Sequence, residues 1–443
     1  MADHQWGFRT RALHAGAKPD PHTGARAVPI YQSTSFVFED TQDAADLFAL
    51  QKYGTIYTRI SNPTIAAFEE RVASLEGGIG GVACASGMAA EFLAITALAG
   101  AGDNIVANAS LYGGTVTQFG VTLSRLGIET RFINTNDIDQ VRAHIDDDTK
   151  AVYTETIANP SGEVADIEAI AEVAHEFGVP LILDNTFATP YLCRPIEHGA
   201  DIVVQSATKF LGGHGTSIGG IVVDSGRFDW GNGRFPMMTE PVPSYNGLRW
   251  WDNFGEYAFA TKLRSEQLRD VGASLSPFNA FMLLQGVETL PQRMNEHVAN
   301  AQRVAEWLNA DPRVSFVKYS GLSTSPHHAN AKKYLPLGPG AIFTFGVKGG
   351  RKAGATFINS LQMISHLANV GDAKTLILHP ASTTHQQLTA EQLDAGGVSD
   401  EMVRISVGLE DVDDIIYDLD SALAAANDSA VAAENSTEVS GNG

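Results

Sequence analysis

Residues 205–215 read QSATKFLGGHG, and they follow the apolar run DIVV at 201–204. This stretch places Lys209 just after a predicted buried strand, close behind the hydroxyl side chains of Ser206 and Thr208. Burial disfavours the charged ammonium form, so we expect the pKa of the Lys209 side chain to fall and its amine to become nucleophilic. Most lysines that follow a strand are solvated loop charges, however. Other residues of the chain are therefore needed to distinguish a nucleophilic lysine from a solvated one.

The surrounding sequence alternates short apolar strands with helical patterns from about residue 65 to 225. Such alternation predicts an α/β fold with a mainly parallel sheet covered by helices on both faces. Ligands of these sheets bind outside the carboxyl ends of the strands. Strands are predicted at 104–107, 130–133, 151–154, 180–183, 201–204 and 219–223, and helices at 64–75 and 88–98.

The length of 443 residues exceeds what one hydrophobic core usually supports, so more than one domain is expected. A larger domain is predicted at 71–285 and a smaller C-terminal α/β domain at 286–427, with strands near 341–347 and 403–407. Residues 225–255 interrupt the alternation with three tryptophans, and we expect this excursion to line or lid a site. The small polar residues at 428–443 predict a disordered tail.

Composition excludes several classes of function. The formal net charge of -21 argues against nucleic acid or an anionic membrane as a partner. The two cysteines have no C-x-x-C spacing, and no apolar run approaches the length of a membrane span, so we expect a cytoplasmic protein. The 13 histidines are scattered without ligand spacing, and we expect no catalytic metal.

Three further features converge with Lys209 on one cofactor. Residues 84–90 read CASGMAA and open a predicted helix, where Gly87 would let backbone N–H groups approach a phosphate. Asp184 ends a predicted buried strand, where a carboxylate needs a cationic partner such as a protonated pyridine nitrogen. Tyr112 precedes two glycines and can stack on a planar ring. Each feature alone also fits a helix cap, a turn or the core, but together they predict pyridoxal 5′-phosphate (PLP).

The chain resembles the trans-sulfuration (Cys/Met metabolism) family of PLP-dependent enzymes. The resemblance covers roughly residues 8–426. Its most specific stretches are YTRISNPT at 57–64, DNTFATP at 184–190 and SATK at 206–209. It implies the PLP-dependent transferase fold of type I, with a smaller C-terminal α/β domain.

The resemblance also implies a role for each candidate site residue. Lys209 would carry the cofactor as a Schiff base and move protons, while Asp184 would pair with the pyridine nitrogen. Tyr112 would stack on the ring and assist proton movement, and Asn159 would lie near the ring hydroxyl. The residues that would hold the phosphate are Ser86, Gly87, Met88, Ser206 and Thr208.

Further residues are implied to complete the site. The N-terminal arm, residues 1–70, would reach a neighbouring subunit, where Tyr57 and Arg59 would contact the phosphate and Tyr57 would help the leaving group depart. This arrangement makes at least a dimer necessary and favours a homotetramer with shared active sites. Arg404 would clamp the substrate α-carboxylate, a task that suits a bidentate guanidinium, and Asn369 would also contact the substrate.

Within the family, three stretches resemble the O-acetylhomoserine sulfhydrylases: NVGDAKTL at 369–376, HPASTTHQ at 379–386, and the excursion at 225–255. The implied reaction is a γ-replacement that converts O-acetyl-L-homoserine and sulfide to L-homocysteine and acetate in methionine biosynthesis. The alternatives are an O-succinylhomoserine sulfhydrylase, a cystathionine γ-synthase or a methionine γ-lyase, and, from another class, a non-catalytic PLP-binding protein.

Four positions depart from patterns in these relatives. Asn369 stands where many have serine, and Lys374 replaces an acid. Gly114 replaces a cysteine of the methionine γ-lyases. Gln205 stands where relatives often have histidine, and we expect it to alter packing behind the phosphate without removing catalysis.

Overall fold

The computed structural model describes residues 5–159, 161–380, 383 and 399–440, with side chains up to 428. The chain forms two compact units. The first comprises residues 1–156, 165–212 and 216–291, and the second comprises 157–164, 213–215 and 292–443. The domain bounds given by the sequence, at 1–70, 71–285, 286–427 and 428–443, stay predictions.

A seven-stranded sheet forms the centre of the first unit, in the order β1-β7-β6-β5-β4-β2-β3. Its strands are β1 (Gly80–Cys84), β2 (Asn104–Asn108), β3 (Glu129–Ile133), β4 (Thr149–Glu155), β5 (Leu181–Asp184), β6 (Ile202–Gln205) and β7 (Gly220–Asp224). The pairs from β3 to β6 are parallel, whereas β7 is antiparallel to both of its neighbours. The predicted mainly parallel α/β sheet is therefore confirmed, although β1 had no counterpart among the predicted strands.

Helices flank this sheet along the chain. The α-helices of the first unit are α1 (Phe8–His14), α2 (Thr41–Phe48), α3 (Pro63–Glu76), α4 (Gly87–Thr96), α5 (Gly113–Thr117), α6 (Ile138–His144), α7 (Ile167–Glu176), α8 (Thr189–Leu192), α9 (Pro236–Thr239), α10 (Trp250–Phe254), α11 (Ala258–Lys262), α12 (Arg269–Val271) and α13 (Pro277–Glu288). Two π-helical segments, Gln118–Leu123 and Leu263–Leu268, continue α5 and α11. Among the described helices, none combines the length and apolarity needed to cross a membrane.

The central strands are apolar because helices cover them from both sides. The side chains of Leu181, Ile182 and Leu183 in β5 have no exposure, and neither do Ile202 and Val203 in β6. Since the parallel strands end at one edge of the sheet, the residues that follow their carboxyl ends are brought together there.

The first part of the excursion lies at the opposite, amino edge of the sheet. Arg234 Nη2 donates to the carbonyls of Asp146 and Thr149, which lead into β4, at 2.6 and 3.0 Å. The Trp230 ring is buried and stacks on Phe259, with 5.3 Å between the ring centroids. The expectation that the excursion lines or lids a catalytic site is therefore wrong for this part, because its large aromatic residues complete the core.

The last part of the excursion borders an open cavity of about 890 Å³. Residues 244–248, 253 and 254 form one side of this cavity, and the other lining residues are 45, 48–51 and Arg269. The first part of the excursion thus completes the core, whereas the last part borders a cavity.

The second unit is built on a five-stranded sheet in the order β10-β11-β12-β9-β8. Its elements are α14 (Leu290–Ala310), which begins at the boundary, β8 (Val314–Lys318), α15 (His328–Tyr334), β9 (Ile342–Val347), α16 (Gly350–Ser360), β10 (Ser365–His366), β11 (Leu376–Leu378), β12 (Met402–Ser406) and the C-terminal helix Val412–Ser440. This helix packs on α16, and Asp418 accepts backbone N–H bonds from Met363 and Ile364 at 3.0 and 2.9 Å. It extends into 428–443, where the disordered tail is predicted and the side chains lie outside the described residues.

Candidate active site

The turn that carries Lys209 is fixed by hydrogen bonds on both sides. The Ser206 N–H donates to Thr186 Oγ1 at 2.8 Å, and the Lys209 N–H donates to the Ser206 carbonyl at 3.1 Å. Thr208 Oγ1 accepts from the Gly219 N–H at 3.1 Å. Lys209 itself is half-buried, so its amine stands on a short, ordered turn at the carboxyl edge of the sheet.

Helix α4 begins directly against this turn. Ser86 caps the helix by accepting the Ala89 N–H on its Oγ at 3.1 Å. A Cβ added to Gly87 would lie 2.6 Å from the Ser206 Cβ, so the residue at this position has to be glycine for the two segments to meet. The Met88 carbonyl is held by Gln118 Nε2 at 3.0 Å. A helix N-terminus beside the Ser206 hydroxyl fits the phosphate of PLP.

Asp184 ends β5 next to these segments. Its Oδ1 accepts the Thr186 N–H at 2.7 Å. Burial raises the pKa of the Asp184 carboxyl to about 6, although the hydrogen bonds from Thr186 oppose that rise. A buried carboxylate of this kind is stabilised by a cationic partner, and a protonated ring nitrogen would supply one.

Tyr112 directly precedes α5, at its N-cap position, and is about half exposed, with 49% of its surface accessible. A Cβ on Gly114 would lie 2.5 Å from the Tyr112 ring, so Gly114 leaves room for the ring in its present orientation. The Tyr112 N–H donates to Glu155 Oε1 at 2.7 Å. Glu155, which is buried, is the register partner of Asp184 across β4 and β5.

Two buried carboxylates of this region, Glu155 and Glu91, were not among the site residues predicted from the sequence. Glu91 lies in α4 and is 4% exposed, and its Oε1 accepts from Thr115 Oγ1 at 3.1 Å. Burial raises the pKa of Glu91 to about 8, and the charge of Asp184 adds to that rise. The available signal for Glu91 was an acid inside the otherwise largely apolar helix α4, and for Glu155 it was an acid that directly follows a predicted strand.

The arm residues Tyr57 and Arg59 contact each other. The Arg59 guanidinium lies over the Tyr57 ring, 5.3 Å from its centroid, and Arg59 Nη1 also donates to the Arg269 carbonyl. Tyr57 is 40% exposed. Their contact with the phosphate of a neighbouring subunit stays a prediction.

The candidate substrate residues and Asn159 belong to the second unit. Arg404 lies in β12, and its Nη1 donates to Asn159 Oδ1 at 3.4 Å. The loop that begins at Asn369 is tied to the end of β12, because the Gly371 N–H donates to Ser406 Oγ at 2.9 Å. Two of the candidate site residues, Arg404 and Asn159, are thus brought together. Of the stretch 379–386, residues 381, 382 and 384–386 lie outside the described residues.

The same loop is fastened a second time near its end. The Thr375 hydroxyl donates to Glu410 Oε2 at 2.8 Å and accepts the Gly408 N–H at 2.9 Å. Glu410 therefore holds the loop beside the end of β12, a function that the sequence patterns did not indicate.

Known proteins are similar to this chain over nearly its whole length, and they support the resemblance to PLP-dependent enzymes. The family described as Cys/Met metabolism PLP-dependent enzyme matches residues 9–424. The O-acetyl-L-homoserine sulfhydrylase of Leptospira meyeri is 53% identical over 423 residues, which cover 94% of this chain and 96% of that protein. O-acetyl-L-homoserine sulfhydrylase 1 of Thermus thermophilus is 52% identical over 419 residues, which cover 94% of this chain and 100% of that protein.

A solved structure agrees with the fold. It is a crystal structure from Campylobacter jejuni, described as an O-acetylhomoserine (thiol)-lyase with N′-pyridoxyl-lysine-5′-monophosphate. Its TM-score is 0.91 at 40% sequence identity, and the match covers 94% of this chain and 100% of the other. The chain belongs to the Cys/Met metabolism family of PLP-dependent enzymes, and PLP is its cofactor.

Proposed function

We propose that this protein is an O-acetyl-L-homoserine sulfhydrylase, which makes L-homocysteine and acetate from O-acetyl-L-homoserine and sulfide in methionine biosynthesis. The reaction breaks the Cγ–O bond of the ester and forms a Cγ–S bond, and the protons taken from Cα and Cβ are returned. The observation that carries the proposal is the identity of 52–53% over nearly the whole chain with two bacterial relatives of this name.

The residues at the carboxyl edge of the sheet have different roles in the proposed reaction. Bound PLP supplies an electron sink for the charge that develops when Cα loses its proton. Asp184, as an ionised carboxylate, would pair with the protonated ring nitrogen. The Lys209 amine would hold the cofactor covalently and, when free, would carry protons between Cα, Cβ and solvent as the general acid and base. Tyr112 would stack on the ring and assist this proton movement.

The phosphate is held at the start of α4. The backbone N–H groups of Gly87 and Met88 would donate to the phosphate at the helix N-terminus, where the helix dipole favours negative charge. The hydroxyls of Ser86, Ser206 and Thr208 would complete the set of donors. Asn159 would contact the ring hydroxyl.

The second unit supplies the contacts with the substrate. Arg404 forms a bidentate ion pair with the α-carboxylate, which orients the amino acid for removal of the Cα proton. Asn369 contacts the substrate from the loop that Ser406 and Glu410 hold in place.

The assembly is a homo-oligomer with shared sites, a homotetramer built from two dimers. In each dimer Tyr57 and Arg59 contact the phosphate bound by the neighbouring subunit, and Tyr57 helps acetate depart. Mixing the inactive variants Lys209→Ala and Arg59→Ala tests this arrangement. Shared sites predict that the mixed oligomer regains part of the activity, because some sites then contain both native residues. No recovery after subunit exchange, shown by tagged copies, would refute shared sites.

We place the protein in the cytoplasm. Both cysteines, Cys84 and Cys193, are free and buried, which suits a reducing compartment. Fractionation of the source cells with a tagged copy tests this location, and recovery outside the cytoplasmic fraction would contradict it.

Product analysis tests the proposed reaction. The purified protein loaded with PLP should release acetate and homocysteine in equal amounts from O-acetylhomoserine and sulfide. Faster turnover with cysteine would indicate a cystathionine γ-synthase, and release of methanethiol from methionine would indicate a methionine γ-lyase. Absence of the absorbance of a cofactor bound covalently to Lys209, together with no borohydride-fixed adduct at Lys209, would refute the proposed enzymatic activity.

A further inference from the structure

Three buried side chains meet behind the carboxyl edge of the first sheet. Glu76, the last residue of α3, has no exposed surface, and the same holds for Asn185, while Gln205 is 1% exposed. Asn185 Nδ2 donates to Glu76 Oε1 and Oε2 at 3.1 and 3.3 Å. Gln205 Nε2 donates to Glu76 Oε1. Glu76 therefore accepts hydrogen bonds from two different strand ends at once.

Both donors are chain neighbours of the candidate site. Asn185 follows Asp184, and Gln205 precedes Ser206. The register of β5 and β6 ends with Asp184 opposite Val204, so the strand ladder does not extend to Ser206. Beyond the ladder, the Glu76 bridge is one of the contacts that set how far Asp184 stands from Ser206.

Further hydrogen bonds fix the Asn185 side chain, so it can transmit the restraint that Glu76 imposes. Its Oδ1 accepts from Thr156 Oγ1 at 2.8 Å, at the end of β4. Its Nδ2 also donates to the Cys193 carbonyl at 2.9 Å, just after α8. A change at Glu76 would therefore act mainly on Asn185 and Gln205 and on the residues attached to them.

The surroundings of Glu76 act on its pKa in both directions. Burial raises its pKa to about 8, the charge of Asp184 adds to that rise, and the amides of Asn185 and Gln205 and the charge of Arg194 oppose it. Both carboxyl oxygens accept from neutral amide N–H groups, Oε1 from Asn185 and Gln205 and Oε2 from Asn185. The bridge therefore depends on the two acceptor oxygens of residue 76.

We propose that Glu76 is a positioning residue of the cofactor site: its carboxyl, behind the carboxyl edge of the sheet, joins Asn185 to Gln205 and so fixes the spacing between Asp184 and Ser206. The inference rests on the proposed roles of Asp184 and Ser206 in binding PLP. It assigns a purpose to Gln205, because the Gln205 amide donates one of the hydrogen bonds that form this bridge.

The test measures the dissociation constant for PLP in folded, cofactor-free protein. Glu76→Leu removes both acceptor oxygens, and with them all three hydrogen bonds, at similar volume and should weaken binding by about tenfold or more. Glu76→Gln keeps one acceptor oxygen and should bind PLP more tightly than Glu76→Leu. The matched control is Glu70→Leu, an exposed glutamate of the same helix, which should leave the dissociation constant unchanged.

Each outcome decides a part of the inference. Native affinity in Glu76→Leu would overturn the positioning role, and affinity as poor in Glu76→Gln as in Glu76→Leu would overturn the role of its acceptor oxygens. If Glu76→Leu does not fold, Gln205→Met breaks one of the two links and should weaken PLP binding severalfold, whereas native affinity there would overturn the bridge. A separate control, Asp184→Asn, tests the site: unchanged affinity in that variant would refute the role of Asp184 itself and not that of Glu76.

Discussion

Gly87 and Ser206 approach so closely that a Cβ on Gly87 would lie 2.6 Å from the Ser206 Cβ and 2.9 Å from its Cα. The start of α4 and the turn before Lys209 are thereby locked into one anion-binding surface. Any side chain at residue 87 must push these segments apart, because neither contact involves the flexible end of a side chain.

Gly87→Ala should therefore weaken PLP binding about tenfold or more, since overpacking of this kind costs about 1–3 kcal/mol. Titration of the cofactor-free variant with PLP measures the effect. The matched control is Gly100→Ala, where an added Cβ would come no closer than 3.9 Å to Asp103. Equal affinities in the two variants would show that the surface around residue 87 does not hold the phosphate.

Lys209→Ala should bind PLP without a covalent bond and lose turnover by about 10³-fold or more, because both cofactor exchange and proton transfer use this amine. Steady-state assays and borohydride fixation followed by peptide mapping measure the two effects. Lys332→Ala, at an exposed lysine, is the control and should behave as the native protein. Near-native turnover in Lys209→Ala would contradict the mechanism.

Arg404→Ala should raise the KM for the amino acid about 10- to 100-fold, because a charge-assisted hydrogen bond contributes about 1.5–3 kcal/mol. Arg404→Lys keeps the charge but not the planar, bidentate group, so it should recover only part of that affinity. PLP binding is the internal control and should change little in either variant. An unchanged KM in Arg404→Ala would remove Arg404 from the substrate site.

The buried acids predict how stability depends on pH. Burial and the charge of Asp184 raise the pKa of Glu91 from 4.5 to about 8, so the folded state binds this proton more tightly than the unfolded state does. The free energy of unfolding must then fall as the pH rises from about 4.5 to about 8. Glu76 and Asp224, with pKa values raised to about 8 and about 7, act in the same direction.

Glu91→Gln cannot ionise, so it should lose less stability than the native protein, by about 1 kcal/mol or more, when the pH is raised from 5 to 9. Urea unfolding of the cofactor-free protein at the two pH values measures this difference. Glu70→Gln, at an exposed position with no buried charge to relieve, should retain the native pH dependence. The same pH dependence in Glu91→Gln would show that Glu91 is ionised throughout this range.

The sequence was sufficient for the parallel core of the sheet, because buried strands such as Leu181–Asp184 are short, apolar and bounded by helical patterns. It did not reveal β1 (Gly80–Cys84), since two of its five residues are glycines, which disfavour strands in sequence patterns. The tryptophans of the excursion were also misread, because an aromatic residue that completes a core and one that covers a site look alike in a sequence.

The candidate site could be predicted where residues follow strand ends, as Asp184 and Lys209 do. Glu76 and Glu91 could not be found in this way, because they lie in helices. Their contacts join segments far apart in the chain, such as Glu76 with Gln205, and a single acid in a helix is usually exposed. Glu155 does follow a predicted strand, but the sequence did not show its contact with Tyr112. Gln205, which stands where relatives often have histidine, is explained by its hydrogen bond to Glu76, a contact that the sequence does not show.

The central claim is that O-acetyl-L-homoserine and sulfide are the substrates, and a comparison of kcat/KM for the O-acetyl and O-succinyl esters tests it most directly. With sulfide held constant and homocysteine measured, we expect the acetyl ester to be preferred by about tenfold or more, a difference of about 1.4 kcal/mol in transition-state binding. Equal or faster turnover of the succinyl ester, or formation of cystathionine in preference to homocysteine when cysteine competes with sulfide, would contradict the proposed function.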